Sequence, residues 1–233
     1  VEIPGDEKKA LTHYAYHIKA GKEIFAAEGA FGQYLICFRN LPVAIGITAG
    51  AREYLAADIC LKYMKEAVSE PCKEEQLEAA EKALRAKLNS LSLVQPEGTF
   101  RTARKEAAKL FDRKILFTEN PRKIESAVLT KDGHKVKIEA VINGEQKTLY
   151  AGYKVWKRND LYPDDHTKRY QNVAYAMDAE ALYLSVGLIN TSYKEEYCLW
   201  VNSQDKVIAT WHPNVTYLPE EPDMIWKFTG TFE

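Results

Sequence analysis

The chain has 233 residues, 46% of them hydrophobic and 28% charged, and 32 Lys+Arg against 33 Asp+Glu leave a net charge of −1. That balance excludes a disordered tail, a collagen-like repeat and a disulfide-dense miniature, and it leaves no global field to draw nucleic acid. No run of roughly 18 apolar residues occurs, so no transmembrane span is expected in this chain.

The chain opens Val1-Glu2-Ile3-Pro4-Gly5 without an initiator Met, from which we expect removal of an upstream segment and an exported, periplasmic or secreted protein. Residues 1–115 read as a helical region. Asp6 is placed to cap a first helix, with Leu11, Tyr14, Ile18 and Phe25 spaced by three, four and seven until Gly29 and Gly32. Thr48 begins a second, with Leu55, Ile59, Cys60, Tyr63 and Met64 on one face. A third, starting near Pro71, carries the regular stripe Leu77, Ala80, Leu84, Leu88, Leu91. Leu84 and Leu88 are expected in the core, where Leu84→Ala costs roughly 2–5 kcal/mol. A fourth spans 99–114 with Ala107, Leu110 and Phe111 inward.

The pattern changes after Pro121, and residues 116–233 read as an antiparallel sheet region. Val136, Ile138, Ala140 and Ile142 alternate with polar residues, and Asn143-Gly144 predicts a tight hairpin turn into 148–156. Further hairpins are expected over 173–189, turning at Asp178-Ala179-Glu180, and over 197–211, turning at 202–205. A last strand follows at 225–228. Helices first and strands afterwards give an α+β fold, a helical layer or small bundle on a β-meander, in one integrated unit.

Four cysteines (Cys37, Cys60, Cys72, Cys198) show no CxxC and no zinc spacing. On a helical hairpin Cys60 and Cys72 lie about 15 Å apart. Cys60 is therefore expected as a buried free thiol without a disulfide to Cys72. His13 and His17, four apart on the expected first helix, suit one metal ion, but no third ligand can be named, so no metal is assigned. Gly29–Ala51 has four glycines and one charge, Arg39. With Pro42 and Arg39 inside it, it reads as a buried crossing segment or as the wall of an apolar cavity.

The candidate binding site is the long polar connection 157–172, longer than a hairpin needs. It interleaves aromatic and charged groups: Trp156, Arg158, Tyr162, Asp164, Asp165, His166, Arg169 and Tyr170. Tyr and Trp present large area at little rotamer cost, and Arg offers a forked donor. Enzyme signatures such as GxSxG, GxxxxGK[ST] and GxGxxG are absent, so no catalytic residue and no cofactor are named. The sequence thus favours a non-catalytic binding or interaction module of an exported, soluble protein, its partner a protein or a small molecule. The alternatives are an enzyme whose site assembles from distant residues and a trimmed, pilin-like assembly subunit.

Overall fold

The computed structural model describes residues 11–50, 56–69, 73–97, 105–160, 170–178, 180–189, 191–215 and 225–233. The chain divides into two compact units, Val1–Leu93 and Val94–Glu233.

The first unit is not a helical bundle. Its core is a five-stranded antiparallel meander, β1 (His13–Ala15), β2 (Ile18–Ala20), β3 (Ile24–Gly29), β4 (Gln33–Phe38) and β5 (Ala44–Ile47), paired in chain order. The α+β expectation fails here for a local reason. Ile24 and Ala26 on β3, and Tyr34, Ile36 and Phe38 on β4, are buried at every second residue, the period of a strand. Tyr16 and His17 (φ 52° and 62°) and Phe31 and Gly32 (φ 63° and 84°) form left-handed turns that reverse the chain where a continuous helix was expected. From the end of β3 at Gly29, the chain to Ile47 accordingly becomes β4, β5 and their turns, and no helix among the described residues is long and apolar enough to cross a membrane. His13 and His17 lose the helical spacing that would have let them share an ion. His13 meets Thr12 instead, and His17 meets the Tyr14 hydroxyl at 3.1 Å.

Two helices follow, α1 (Ala56–Ser69) and α2 (Leu77–Ser90), the latter preceded by a single 3-10 turn. Cys60, Leu61 and Met64 of α1 pack against the β3–β4 face. Cys60 is a half-buried free thiol whose burial pushes its pKa up. Cys72 lies outside the described residues. The leucine stripe of α2 is real but covers no core. Leu77, Leu84, Leu88 and Leu91 are 53 to 64% exposed, so the expected burial of Leu84 and Leu88 is wrong.

The second unit holds a one-turn helix, α3 (Lys105–Ala108), and ten strands. These are β6 (Lys114–Phe117), β7 (Ile124–Asp132), β8 (Lys135–Ile142), β9 (Glu145–Tyr153), β10 (Lys157–Asp160), β11 (Tyr170–Met177), β12 (Ala181–Leu188), β13 (Lys194–Val201), β14 (Val207–Pro213) and β15 (Trp226–Phe232). The hairpin at Asn143-Gly144 forms as expected, both residues at positive φ (52° and 77°), as do those joining β11 to β12 and β13 to β14. The meander does not lie under a helical layer, because it closes on itself. The last strand pairs with the first, Gly230 opposite Phe117 and Phe232 opposite Ile115, and β9 meets β11 in parallel at Gly152–Ala174 and Tyr153–Tyr175. Beyond that point β10 runs between them. Asn159, buried on β10, replaces the missing ladder, its Oδ1 accepting the Tyr150 N–H at 2.7 Å and its Nδ2 donating to the Tyr150 carbonyl at 3.0 Å. The result is an up-and-down barrel, closed by backbone ladders at β15–β6 and β9–β11 and by the Asn159 amide between β9 and β10.

One end of the interior is solid. Ala107, Leu110 and Phe111, the expected inward residues of the fourth helix, cluster with Ile115, Leu129, Val136, Tyr175, Leu182 and Val207. Phe111 bridges Leu129, which sets this plug near the β7–β8 turn.

A side chain at Gly230 would bring a Cβ within 2.7 Å of Ile115 Cγ2 and 3.2 Å of the Leu116 carbonyl oxygen, at the β6–β15 seam. Gly230→Ala is expected to cost roughly 1–3 kcal/mol by overpacking. Urea unfolding followed by tryptophan fluorescence measures this, since all four Trp lie in the second unit. Leu84→Ala, at an exposed site, is expected to change stability by less than about 0.5 kcal/mol in urea unfolding followed by circular dichroism.

Candidate ligand cavity

Strand alternation aims one face of each barrel strand inward, and in the half away from the α3 plug these side chains line a partly open cavity of about 120 Å3. Its walls come from nine strands and are mostly apolar: Ile124, Leu129, Ile138, Leu149, Val173, Leu184, Val186, Leu199 and Phe228 among others. The void exists where the inward residues are small, at Ala127, Ala140 and Ala209. A register shift in β7 between Ile124 and Ser126 re-phases that strand, so that Ile124 and Ala127, three apart, both face in. Glu125, carried out by the bulge, accepts the Gly144 N–H at 2.7 Å and ties the bulge to the neighbouring turn.

The polar lining gathers at one end: Arg122, Glu195, Tyr197 and Gln171. Glu195 and Tyr197 share the inward phase of β13 with Leu199. Arg122 comes from the β6–β7 connection, 118–123, which Asn120 holds in shape. The buried Asn120 donates to the carbonyls of Thr118 (2.9 Å) and Ile124 (2.8 Å) and accepts the Ile124 N–H (3.0 Å). Lys123 (φ 51°) then turns the chain into β7.

Arg122 Nη2 lies 3.1 Å from Glu195 Oε1, and the Tyr197 hydroxyl donates to Glu195 Oε2 at 2.7 Å. Arg122 Nε also donates to the Tyr197 oxygen at 3.4 Å. Burial works against the Arg122 charge, but Tyr197 and Glu195 outweigh it and its pKa rises. Burial, and then the Glu195 charge, push the Tyr197 phenol far up, so it stays a protonated donor. The cluster is a cation, an anion and a neutral hydroxyl, with no net charge. Trp211 pairs with Tyr197 across β13–β14. Its ring lies 5.5 Å from the Arg122 guanidinium and 4.5 Å from the ring of Trp226. Among the described lining residues there is no Ser, Thr, Cys, His, Asp or Lys. What the arrangement offers is an apolar volume with hydrogen-bonding groups at one end.

Of the residues expected in a site, Tyr162, Asp164, Asp165, His166 and Arg169 lie outside the described residues. Trp156 sits half-buried before β10, and Arg158 stacks on Tyr170, guanidinium to ring centre 3.6 Å. Their neighbours Gln171 and Val173 line the cavity, so by alternation Tyr170 and its partner Arg158 stand on the outer face. The sequence reading missed Arg122, Glu195, Tyr197 and Gln171. Their available signal was a break of phase, with Glu195 polar where Tyr197, Leu199 and Val201 mark the inward face, and Gln171 likewise ahead of Val173 and Tyr175.

Asn120→Ala removes three hydrogen bonds that fix the Arg122 connection, leaving the Ile124 N–H without its acceptor. A loss of about 1–3 kcal/mol is expected, read by thermal or urea unfolding.

Neither a protein-family model nor a curated protein matches this sequence. Solved structures similar to it include apo lipid binding protein 8 of Caenorhabditis elegans, at 10% identity over 54% of this chain and 96% of that one, TM-score 0.41. A structure titled REP1-NXSQ fatty acid transporter is 12% identical over 55% and 98% of the two chains, TM-score 0.40. The fatty-acid-binding protein from Manduca sexta is 9% identical over 52% and 98%, TM-score 0.37.

Proposed function

We propose that the barrel of residues 94–233 is a non-catalytic binding protein for a small, largely apolar molecule held inside it. The observation that carries this is the cavity inside the barrel, apolar on its walls, polar only at one end and partly open to solvent. Ligand sites are typically apolar concavities in which a few convergent polar groups fix orientation. Size supports a small ligand: an engineered cavity of about 150 Å3 lined by Leu, Ile and Phe stays dry and takes benzene. At about 120 Å3 the present cavity suits a body of roughly six carbons, or the end of a longer chain. We further propose that the β10–β11 connection contributes on the outer rim of the polar end, with Tyr170 at its base, Arg158 further back on β10 and Trp156 just before that strand. What supports this is that Gln171, next to Tyr170, lines the cavity.

The test is a titration of the labelled full chain with benzene, followed by the methyl resonances of Leu184, Val186 and Leu199. Saturable shifts confined to cavity methyls are expected, and Ala140→Leu, which fills the void, should abolish them while changing stability by no more than about 2 kcal/mol. Wild-type protein whose cavity methyls do not respond would sink the proposal.

A further inference from the structure

We infer that the polar end of the cavity selects an uncharged amphiphile, with a hydroxyl, carbonyl or amide head, against a carboxylate or an ammonium. This rests on the ligand-binding reading above and adds the class of head group. Arg122 and Glu195 are the charged groups among the described lining residues, and at 3.1 Å they neutralise one another. Both Glu195 oxygens are engaged, one by Arg122 and one by the Tyr197 hydroxyl. A carboxylate entering here would meet a cation already balanced and an anion beside it, at a cavity mouth where Glu195 is largely buried and Arg122 is 39% exposed, so it would give up hydration without gaining a free counter-charge. An ammonium would meet Arg122 in the same way. A neutral head changes no charge. It can accept from the Arg122 N–H groups that Glu195 and Tyr197 leave open, since a guanidinium carries five, and it can exchange hydrogen bonds with the Gln171 amide. Sites that hydrogen-bond a head discriminate far more strongly than apolar walls do, because a wrong head leaves buried partners unmade.

The experiment compares 1-hexanol, hexanoate and hexylammonium, matched in chain, by titration of the full chain at neutral pH with the cavity methyls and Trp fluorescence as readouts. Hexanol is expected to bind at least about tenfold more tightly than either ion. Glu195→Gln, which leaves Arg122 unbalanced, should raise hexanoate affinity about tenfold or more while hexanol moves less than about threefold. Arg122→Gln should instead favour hexylammonium. Should a single variant not fold, the double variant Arg122→Gln/Glu195→Gln keeps the test, and the wild-type ranking is expected to survive in it. Hexanoate binding wild-type protein as tightly as hexanol overturns the inference, as does a fall in hexanoate affinity in the double variant, which would show Arg122 holding the carboxylate. If neither benzene nor hexanol binds, the cavity reading itself fails, an outcome distinct from a reversed ranking.

Discussion

The pairing of β15 with β6, Gly230 opposite Phe117 and Phe232 opposite Ile115, turns a meander into a ring, and the inside of the second unit exists because of it. An open sheet of this length would have to bury one face under another layer and protect two edges. Closure removes the first need by giving each strand an interior to face, and meets the second by pairing the edges. The ring has one imperfect stretch, where β10 enters between β9 and β11, and there the Asn159 side chain supplies the donor and acceptor that backbone does not. Backbone hydrogen bonding in a closed sheet is an accounting that must come out even, and a buried side-chain amide is one of the few groups able to stand in for a peptide.

Once the ring is fixed, its radius is set by strand number and tilt, not by the side chains available to fill it. The two halves answer this differently. Near the α3 plug, Tyr175, Met177, Leu182, Leu110 and Phe111 fill the space. In the other half Ala127, Ala140 and Ala209 leave a void of about 120 Å3. By the cost of engineered core cavities, such a void forgoes on the order of 3 kcal/mol of packing. Three alanines lining the void, Ala127 beside Ala140 on β7 and β8 and Ala209 on β14, are positions simple to improve by substitution with Val or Leu, as cavity filling commonly stabilises proteins. A local departure from good packing set against consistent hairpins, turns and seams elsewhere is the pattern expected of a site shaped for a guest.

What the sequence revealed depended on how local the determining interaction is. Hairpins at Asn143-Gly144, Asp178–Glu180 and 202–205 were readable because turn chemistry and alternation lie within about twenty residues. The N-terminal strands were not, because Leu11, Tyr14, Ile18 and Phe25 fit a helical spacing by coincidence, and the left-handed turns at Tyr16-His17 and Phe31-Gly32 were not recognised as the stronger signal. The α2 leucines teach a different point. Periodicity tells which residues share a face, and says nothing of whether another element meets it, so a regular stripe was mistaken for core. The site was drawn to 157–172 by loop length and composition, whereas the groups that meet at the cavity join Arg122 to a strand 75 residues further on. That contact follows from barrel register, which closure sets and no local pattern encodes.

The Arg122–Glu195 pair also explains why the polar end is built as it is. An ion pair with one partner this exposed is weak evidence for stability, since solvent screening and the ordering of two long side chains offset most of its attraction. Apolar contacts with neighbouring residues would hold the β6–β7 connection equally well, and Asn120 already fixes its backbone. What the charges add is direction. Tyr197 must point its proton at Glu195, Arg122 is drawn to the same carboxylate, and Trp211 walls the guanidinium on one side, so the remaining N–H donors have few ways to face. An isolated Arg would be a flexible point of positive charge that any anion could occupy. Bound to a neighbouring carboxylate, it becomes an oriented set of donors with its charge cancelled, and recognition there depends on hydrogen-bond geometry instead of on Coulomb attraction.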